Sequence, residues 1–194
     1  KYLTALMVVL ISFNGISQRT EEQHSAVLMS FKLPTPTGNQ SYRRVMSGLV
    51  NVDLQYQYIM SNGLGFGAGF KYSYFEVNSN LFQTNVTGSM DGYNPFIRVA
   101  KRNELSETAF LEFSVKSGYN ILQTKSNTCS EIYQQRAFNL EPEVGVYMKS
   151  GELISFGIIV GYNYLNYQFT PDNLCLPYFP GSDAASSEGN THYF

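Results

Sequence analysis

Residues 50–58 alternate without a break. Val50, Val52, Leu54, Tyr56, Tyr58 and Met60 share one parity, and Asn51, Asp53, Gln55 and Gln57 share the other. Period two over that length is a strand with two chemically different faces. The pattern recurs before and after it. Val27, Met29, Phe31 and Leu33 stand against Ala26, Ser30 and Lys32. Leu64, Phe66, Ala68, Phe70, Tyr72 and Tyr74 stand against Gly65, Gly67, Gly69, Lys71 and Ser73. Four more segments follow, around Tyr93–Val99, Leu111–Gly118, Phe138–Met148 and Ile154–Tyr164. Seven strands are therefore expected, and no helical period competes with them.

The connections alternate in length. A long polar segment (35–47) is followed by the tight turn Ser61-Asn62-Gly63, whose Asn-Gly pair is a hairpin signal. Then come a long loop (78–91), a shorter one (101–107), a long one (123–135), the tight turn Lys149-Ser150-Gly151-Glu152, and a last long segment after Phe169. This is the rhythm of an up-and-down barrel in an outer membrane, with short turns on the periplasmic side and long loops outside. The expected fold is all-β: a transmembrane antiparallel barrel of about eight strands.

Alternation alone leaves open which face points inward, because soluble barrels alternate too. Glycine decides. Gly65, Gly67, Gly69, Gly118, Gly145, Gly157 and Gly161 all share the polar parity. Glycine weakens a strand unless the space is needed, and the lumen of an eight-stranded barrel is barely wide enough for side chains. The polar face is thus read as the interior. It carries Lys32, Lys71, Arg98 and Lys116 against Asp53, Glu112, Glu141 and Glu143, a neutral set. Charges in a closed lumen must pair. The expected plug is Lys71, Arg98 and Lys116 paired among Glu112, Glu141 and Glu143, with Asp53 in the same network. Tyr72, Tyr74, Tyr93, Tyr119, Tyr162 and Tyr164 near the outer ends, with Tyr56 and Tyr58 near the inner end, would form aromatic girdles.

Residues 1–17 have the form of a secretory signal peptide, which divides the chain into that segment and a barrel domain, residues 18–194. Lys1 precedes an apolar run from Leu3 to Phe13, and Gly15 and Ser17 offer small residues at a cut before Gln18. In an exported chain two cysteines commonly pair, and both fall in long loops, so a Cys129–Cys175 disulfide is expected. Thr191-His192-Tyr193-Phe194 reads as the start of a descending strand, yet a membrane crossing takes about 9–11 residues. The expectation is that the chain continues past Phe194 for about ten alternating residues, with a partner chain supplying closure as the alternative.

With its signal peptide, its loop rhythm and the strand Tyr93-Asn94-Pro95-Phe96-Ile97-Arg98-Val99, the chain resembles the small OmpA/OmpX-type outer-membrane barrel proteins of Gram-negative bacteria. The resemblance spans the whole mature chain and rests on pattern, so it speaks for fold more than for function. It implies residence in the bacterial outer membrane, in contact with its lipid and lipopolysaccharide.

The chemistry is sparse. A net charge of −2 leaves no nucleic-acid footprint. No Cys/His cluster supports a metal, and no cofactor motif is present: Gly63-Leu64-Gly65-Phe66-Gly67 belongs to a strand, not to a phosphate loop. Of the two histidines, His24 falls on the periplasmic side. His192 falls near the outer rim beside Asp183, Ser186, Ser187 and Glu188, where a lipid-modifying base would stand, but without a defined spacing. The expected role is non-enzymatic: an accessory subunit of a larger outer-membrane barrel or lipoprotein complex, or a scaffold for surface loops. The alternatives are a lipid-modifying enzyme and a small pore. Leu174-Cys175-Leu176-Pro177-Tyr178-Phe179-Pro180 either offers a contact surface or folds over the barrel mouth.

Overall fold

The computed structural model describes residues 24–82, 85–150, 154–179 and 189–194. The expected signal peptide, most of the turn after Ser150, and Asp183, Ser186, Ser187 and Glu188 lie outside the described residues. The fold is all-β, a single antiparallel sheet of ten strands. They are β1 (His24–Lys32), β2 (Pro36–Gly38), β3 (Met46–Ile59), β4 (Leu64–Val77), β5 (Gly88–Ser106), β6 (Ala109–Ser126), β7 (Tyr133–Ser150), β8 (Ile154–Gly161), β9 (Asn163–Leu165) and β10 (Thr191–Tyr193).

The ten strands make eight staves. β1 and β2 are one strand interrupted near Pro34, which has no N–H to give a ladder. β8 and β9 are likewise one strand. Both pair with β7 in a single register, and the break at Tyr162 faces Pro142, whose ring nitrogen donates nothing. The order around the sheet is β1-β3-β4-β5-β6-β7-β9-β10-β2. Its first and last members are the two halves of the same stave, so the sheet curls round on itself and joins in the half that β10 occupies. At the seam β10 pairs with both β9 and β2, and Thr35 and Phe194 exchange backbone hydrogen bonds of 2.9 and 3.1 Å.

One end of the barrel carries tight turns. At the first, Asn62 accepts from the Leu64 amide and Gly63 takes a φ of +78°, the left-handed conformation that glycine adopts freely. The other end carries the long connections. The segment expected as one polar loop, residues 35–47, instead holds β2, the short helix α1 (Gln40–Val45) and the start of β3. Asn39 caps α1 by accepting from the Tyr42 amide at 2.9 Å. Six helical residues are too few to show a period in sequence. The expected loop at 101–107 is mostly strand: β5 runs to Ser106 with a bulge between Glu104 and Ser106. The last connection also ends in a strand, since β10 lies in the sheet.

Burial inverts the pattern of a water-soluble protein. Asn51, Asp53, Gln55 and Gln57 are buried, while the outward parity shows Phe31 at 70 %, Ile97 at 65 % and Ile158 at 79 % exposure. The lumen glycines stand where larger residues would collide. A Cβ on Gly69 would sit 2.6 Å from Gln55 Cβ and 2.8 Å from the Phe96 ring, and one on Gly145 would sit 2.6 Å from the Tyr147 ring. Gly69→Leu should therefore destabilise the fold by about 1–3 kcal/mol through overpacking. Ala68→Leu, one residue away on the exposed face, should change stability by only about 0.5 kcal/mol. Chemical unfolding of the two variants checks the contrast, and equal losses would remove the steric account of the lumen glycines.

Candidate functional site

Strands β1, β3, β4, β6 and β7 aim their inward parity at one point in the middle of the barrel. Three carboxylates meet there, from Asp53, Glu141 and Glu143, with oxygens within 4.8 Å of one another. Three ammonium groups are seated on the same oxygens. Lys71 Nζ donates to Glu141 at 2.7 Å. Lys116 Nζ donates to Glu143 at 3.0 Å and also to Asp53. Lys32 Nζ reaches Glu141 at 2.9 Å, Asp53 at 3.2 Å, and Glu143. Hydrogen bonds from Ser30, Ser114 and Asn163 fill further carboxylate positions. Three carboxylates so close together would suit a divalent cation if left bare, but here each meets ammonium groups.

Toward the turn end a second group follows. Arg98 donates to Glu112 at 2.8 Å, to Ser114 at 2.9 Å, and to Gln57. Gln57 returns a bond to Glu112 at 3.1 Å, and Arg102 meets the same carboxylate at 3.1 Å. The Arg102 guanidinium lies 3.9 Å from the centre of the Phe110 ring, which stacks on Tyr147 at 4.8 Å. These groups close the lumen toward the turns.

Toward the loop end the charge gives way first to the amides of Asn94, Asn120 and Asn139, then to an apolar cap. The cap gathers Tyr42 and Val45 from α1, Phe75 and Met90 from the strand tops, and Phe169, Leu174 and Phe179 from the last connection. Phe169 stacks on Phe179 at 5.3 Å and meets Tyr42 edge-on at 5.7 Å. Burial holds the Tyr42 phenol protonated well above its usual range. The run from Leu174 to Phe179 folds over the barrel mouth at Leu174 and Phe179 and leaves Tyr178 exposed. Cys129, in the β6–β7 connection, is joined by a disulfide to Cys175, with Cα atoms 5.4 Å apart. Thr128 donates to the Leu174 carbonyl beside it.

The seven residues that the sequence puts in one lumen network, Asp53, Lys71, Arg98, Glu112, Lys116, Glu141 and Glu143, are all buried inside the barrel. Lys71 stands on Glu141, Arg98 on Glu112 and Lys116 on Glu143. Two members escaped the sequence-based network. Lys32 has the right parity but belongs to a strand far away in sequence, and Arg102 sits where the alternation fades. His192 faces outward between the rings of Tyr162 and Tyr164, at 5.4 and 5.0 Å, and among the described residues its Nδ1 has no hydrogen-bond partner. No family model matches the chain, and no relative is found among curated proteins.

Two predictions follow from this geometry. Lys116→Met leaves Asp53, Glu141 and Glu143 with only Lys32 and Lys71 to neutralise them and should cost about 3–5 kcal/mol, as expected for half of a buried pair. Lys116→Met/Glu143→Met keeps the central cluster neutral and should recover most of that loss in the same unfolding assay. An additive double variant would dissolve the network. For the disulfide, which spans 46 residues, alkylation without reductant should label neither cysteine, and Cys129→Ser/Cys175→Ser should lower stability by about 2–4 kcal/mol.

Proposed function

We propose that this chain is an outer-membrane β-barrel with a plugged lumen, a non-enzymatic element that holds a disulfide-tied cap at the cell surface. The observation that carries the reading is the inversion of burial: charged side chains are enclosed and large apolar ones form the outer wall. Water would not tolerate so broad a band of Val, Ile, Leu and Phe on a monomer, whereas lipid requires it. Where β10 joins β9 to β2, the backbone pairing across the seam fits the same solvent, since a sheet in lipid cannot leave its N–H and C=O groups unmatched.

The aromatic residues support this orientation. Tyr72 and Tyr93 pack at 5.5 Å on the outward side near the loop end, where Tyr162, His192 and Phe194 form a second cluster. Amphipathic rings at that level suit the boundary between acyl chains and headgroups. On this reading the chain contacts membrane lipid on all sides and lipopolysaccharide at its loop end.

The lumen argues against a pore. An ion entering from the loop end would meet the apolar cap, and beyond it a cluster whose charges already neutralise one another. Among the described residues His192 is flanked by the phenol rings of Tyr162 and Tyr164, which gives a general base no support. What remains available for work is the exposed surface of the cap, including Tyr178 and the backbone around the disulfide. A surface of that kind serves contact with another protein, as in a subunit of a larger outer-membrane barrel or lipoprotein complex.

The test joins two measurements. The protein should sediment with outer membranes and resist extraction by alkaline carbonate. In planar bilayers the purified protein should give no stable conductance. Recovery in the aqueous fraction would overturn the membrane reading, and steady openings on the order of a nanosiemens would overturn the plugged lumen.

A further inference from the structure

The outward faces of two neighbouring staves change chemistry at one height. Toward the loop end, the outward places of β7 run Leu140, Phe138, Arg136. On the stave beside it they run Tyr164, Asn166, Gln168, while Leu165, Tyr167 and Phe169 between them are buried. Leu140 stands opposite Tyr164, and the Asn166 amide donates to the Phe138 carbonyl at 3.0 Å, so the two columns are in step. Rings and aliphatic chains give way there to one guanidinium and two carboxamides.

The two staves also part at this height. Beyond Asn166 the chain leaves β7: the Tyr167 amide turns back to the Leu165 carbonyl, and the Tyr167 carbonyl accepts from the Thr191 amide. β7 itself runs on to Tyr133 with β6 on its other side. The parting opens a groove of about 470 Å³, with Gln135 and Arg136 on one wall and Asn166, Tyr167, Gln168 and Thr170 on the other. Small-molecule clefts commonly have that size. In an antiparallel ladder alternate residues turn their backbone groups to the same side. Phe138 turns its carbonyl toward Asn166, so Arg136 turns its own N–H and C=O into the groove. None of the six lining residues is acidic. Among the described residues no carboxylate pairs with Arg136, whereas Lys125, an outward cation on β6, is held by Asp91 at 3.6 Å.

Resting on the membrane reading above, we infer that this groove seats the phosphorylated sugar headgroup of one outer-leaflet glycolipid, whose acyl chains lie down the wall over Phe138, Tyr164 and Leu140. A guanidinium and a main-chain N–H together suit a phosphate, which takes paired, charge-assisted hydrogen bonds. The carboxamides of Asn166 and Gln168 offer both donors and acceptors, as sugar hydroxyls do. The vertical order matches the lipid: apolar chains below, hydroxyls and phosphate above. A free phosphate or an acidic peptide would engage Arg136 but has nothing to lay on the apolar columns beneath it.

The experiment titrates the full chain in mild detergent with lipid A, the phosphorylated glucosamine anchor of lipopolysaccharide, and counts bound lipid by native mass spectrometry. One lipid should be retained per chain. Arg136→Gln should weaken retention about tenfold, the loss expected for a charge-assisted contact. Dephosphorylated lipid A should bind the unaltered protein as weakly as lipid A binds R136Q. Arg43→Gln, on α1 beside β2 and β3, should leave retention unchanged. Equal retention of lipid A by R136Q and the unaltered protein would overturn the inference, as would an equal loss in R43Q. Equal retention of the dephosphorylated lipid would overturn it without recourse to any variant's folding. Displacement of the lipid by an equal concentration of inorganic phosphate would overturn it in favour of a free-phosphate site. Failure of the membrane reading is separately visible, because it appears as recovery in the aqueous fraction whatever the lipid count.

Discussion

A carboxylate in the middle of a closed sheet stays charged only if a cation reaches it across the lumen. Everything else in this barrel is arranged around that requirement. Lys71 and Lys116 come from strands that are not hydrogen-bonded to those of their partners Glu141 and Asp53, so their pairing forces the sheet to curl. The distance that an extended lysine spans limits the diameter, and the diameter in turn demands glycine at Gly65, Gly69, Gly118 and Gly145. Burying the charges leaves the apolar parity on the outside, which selects the solvent. Burial of ion pairs is poor evidence of net stabilisation, because desolvation offsets much of the attraction. Its effect here is specific: a register slip of one residue would turn every paired charge into the outer wall.

The parity of each strand was legible because a two-sided sheet writes its two environments into alternate letters. Lys71, Arg98, Lys116 and the three glutamates could be placed on one face for that reason, and the two cysteines in neighbouring connections from the loop rhythm. Legibility stopped where the two environments stop differing. Beyond Val99 the outward residues are Lys101 and Asn103, so the alternation vanishes and Arg102 reads as loop although β5 continues. At the other end Phe75, Met90 and Leu122 are apolar on the inward parity because they meet the cap. The helix α1 left no trace, since its six residues are too few for a period. Closure was the least visible feature: that Thr35 finds Phe194 depends on every intervening register at once.

The cap shows how a short barrel seals one end without a separate domain. Its residues come from many connections and strand tops, none of which has enough apolar surface to fold alone. Tyr42 ties them together by meeting Phe75 at 5.6 Å and Phe169 at 5.7 Å. The apolar seal and the ionic plug occupy different heights in the barrel, so removing either leaves the other across the passage.

The bond between Cys129 and Cys175 makes a covalent ring of the β7 stave, the β8–β9 stave and the connections at both their ends. A polypeptide threaded this way behaves differently from a linear one under attack from outside. A protease that cut anywhere between the two sulfurs would open a gap in the backbone but release no fragment, because both new ends stay fastened to the same particle. The exposed face can therefore be nicked and still hold together as one surface, and release of a piece would require a second cut or a reductant.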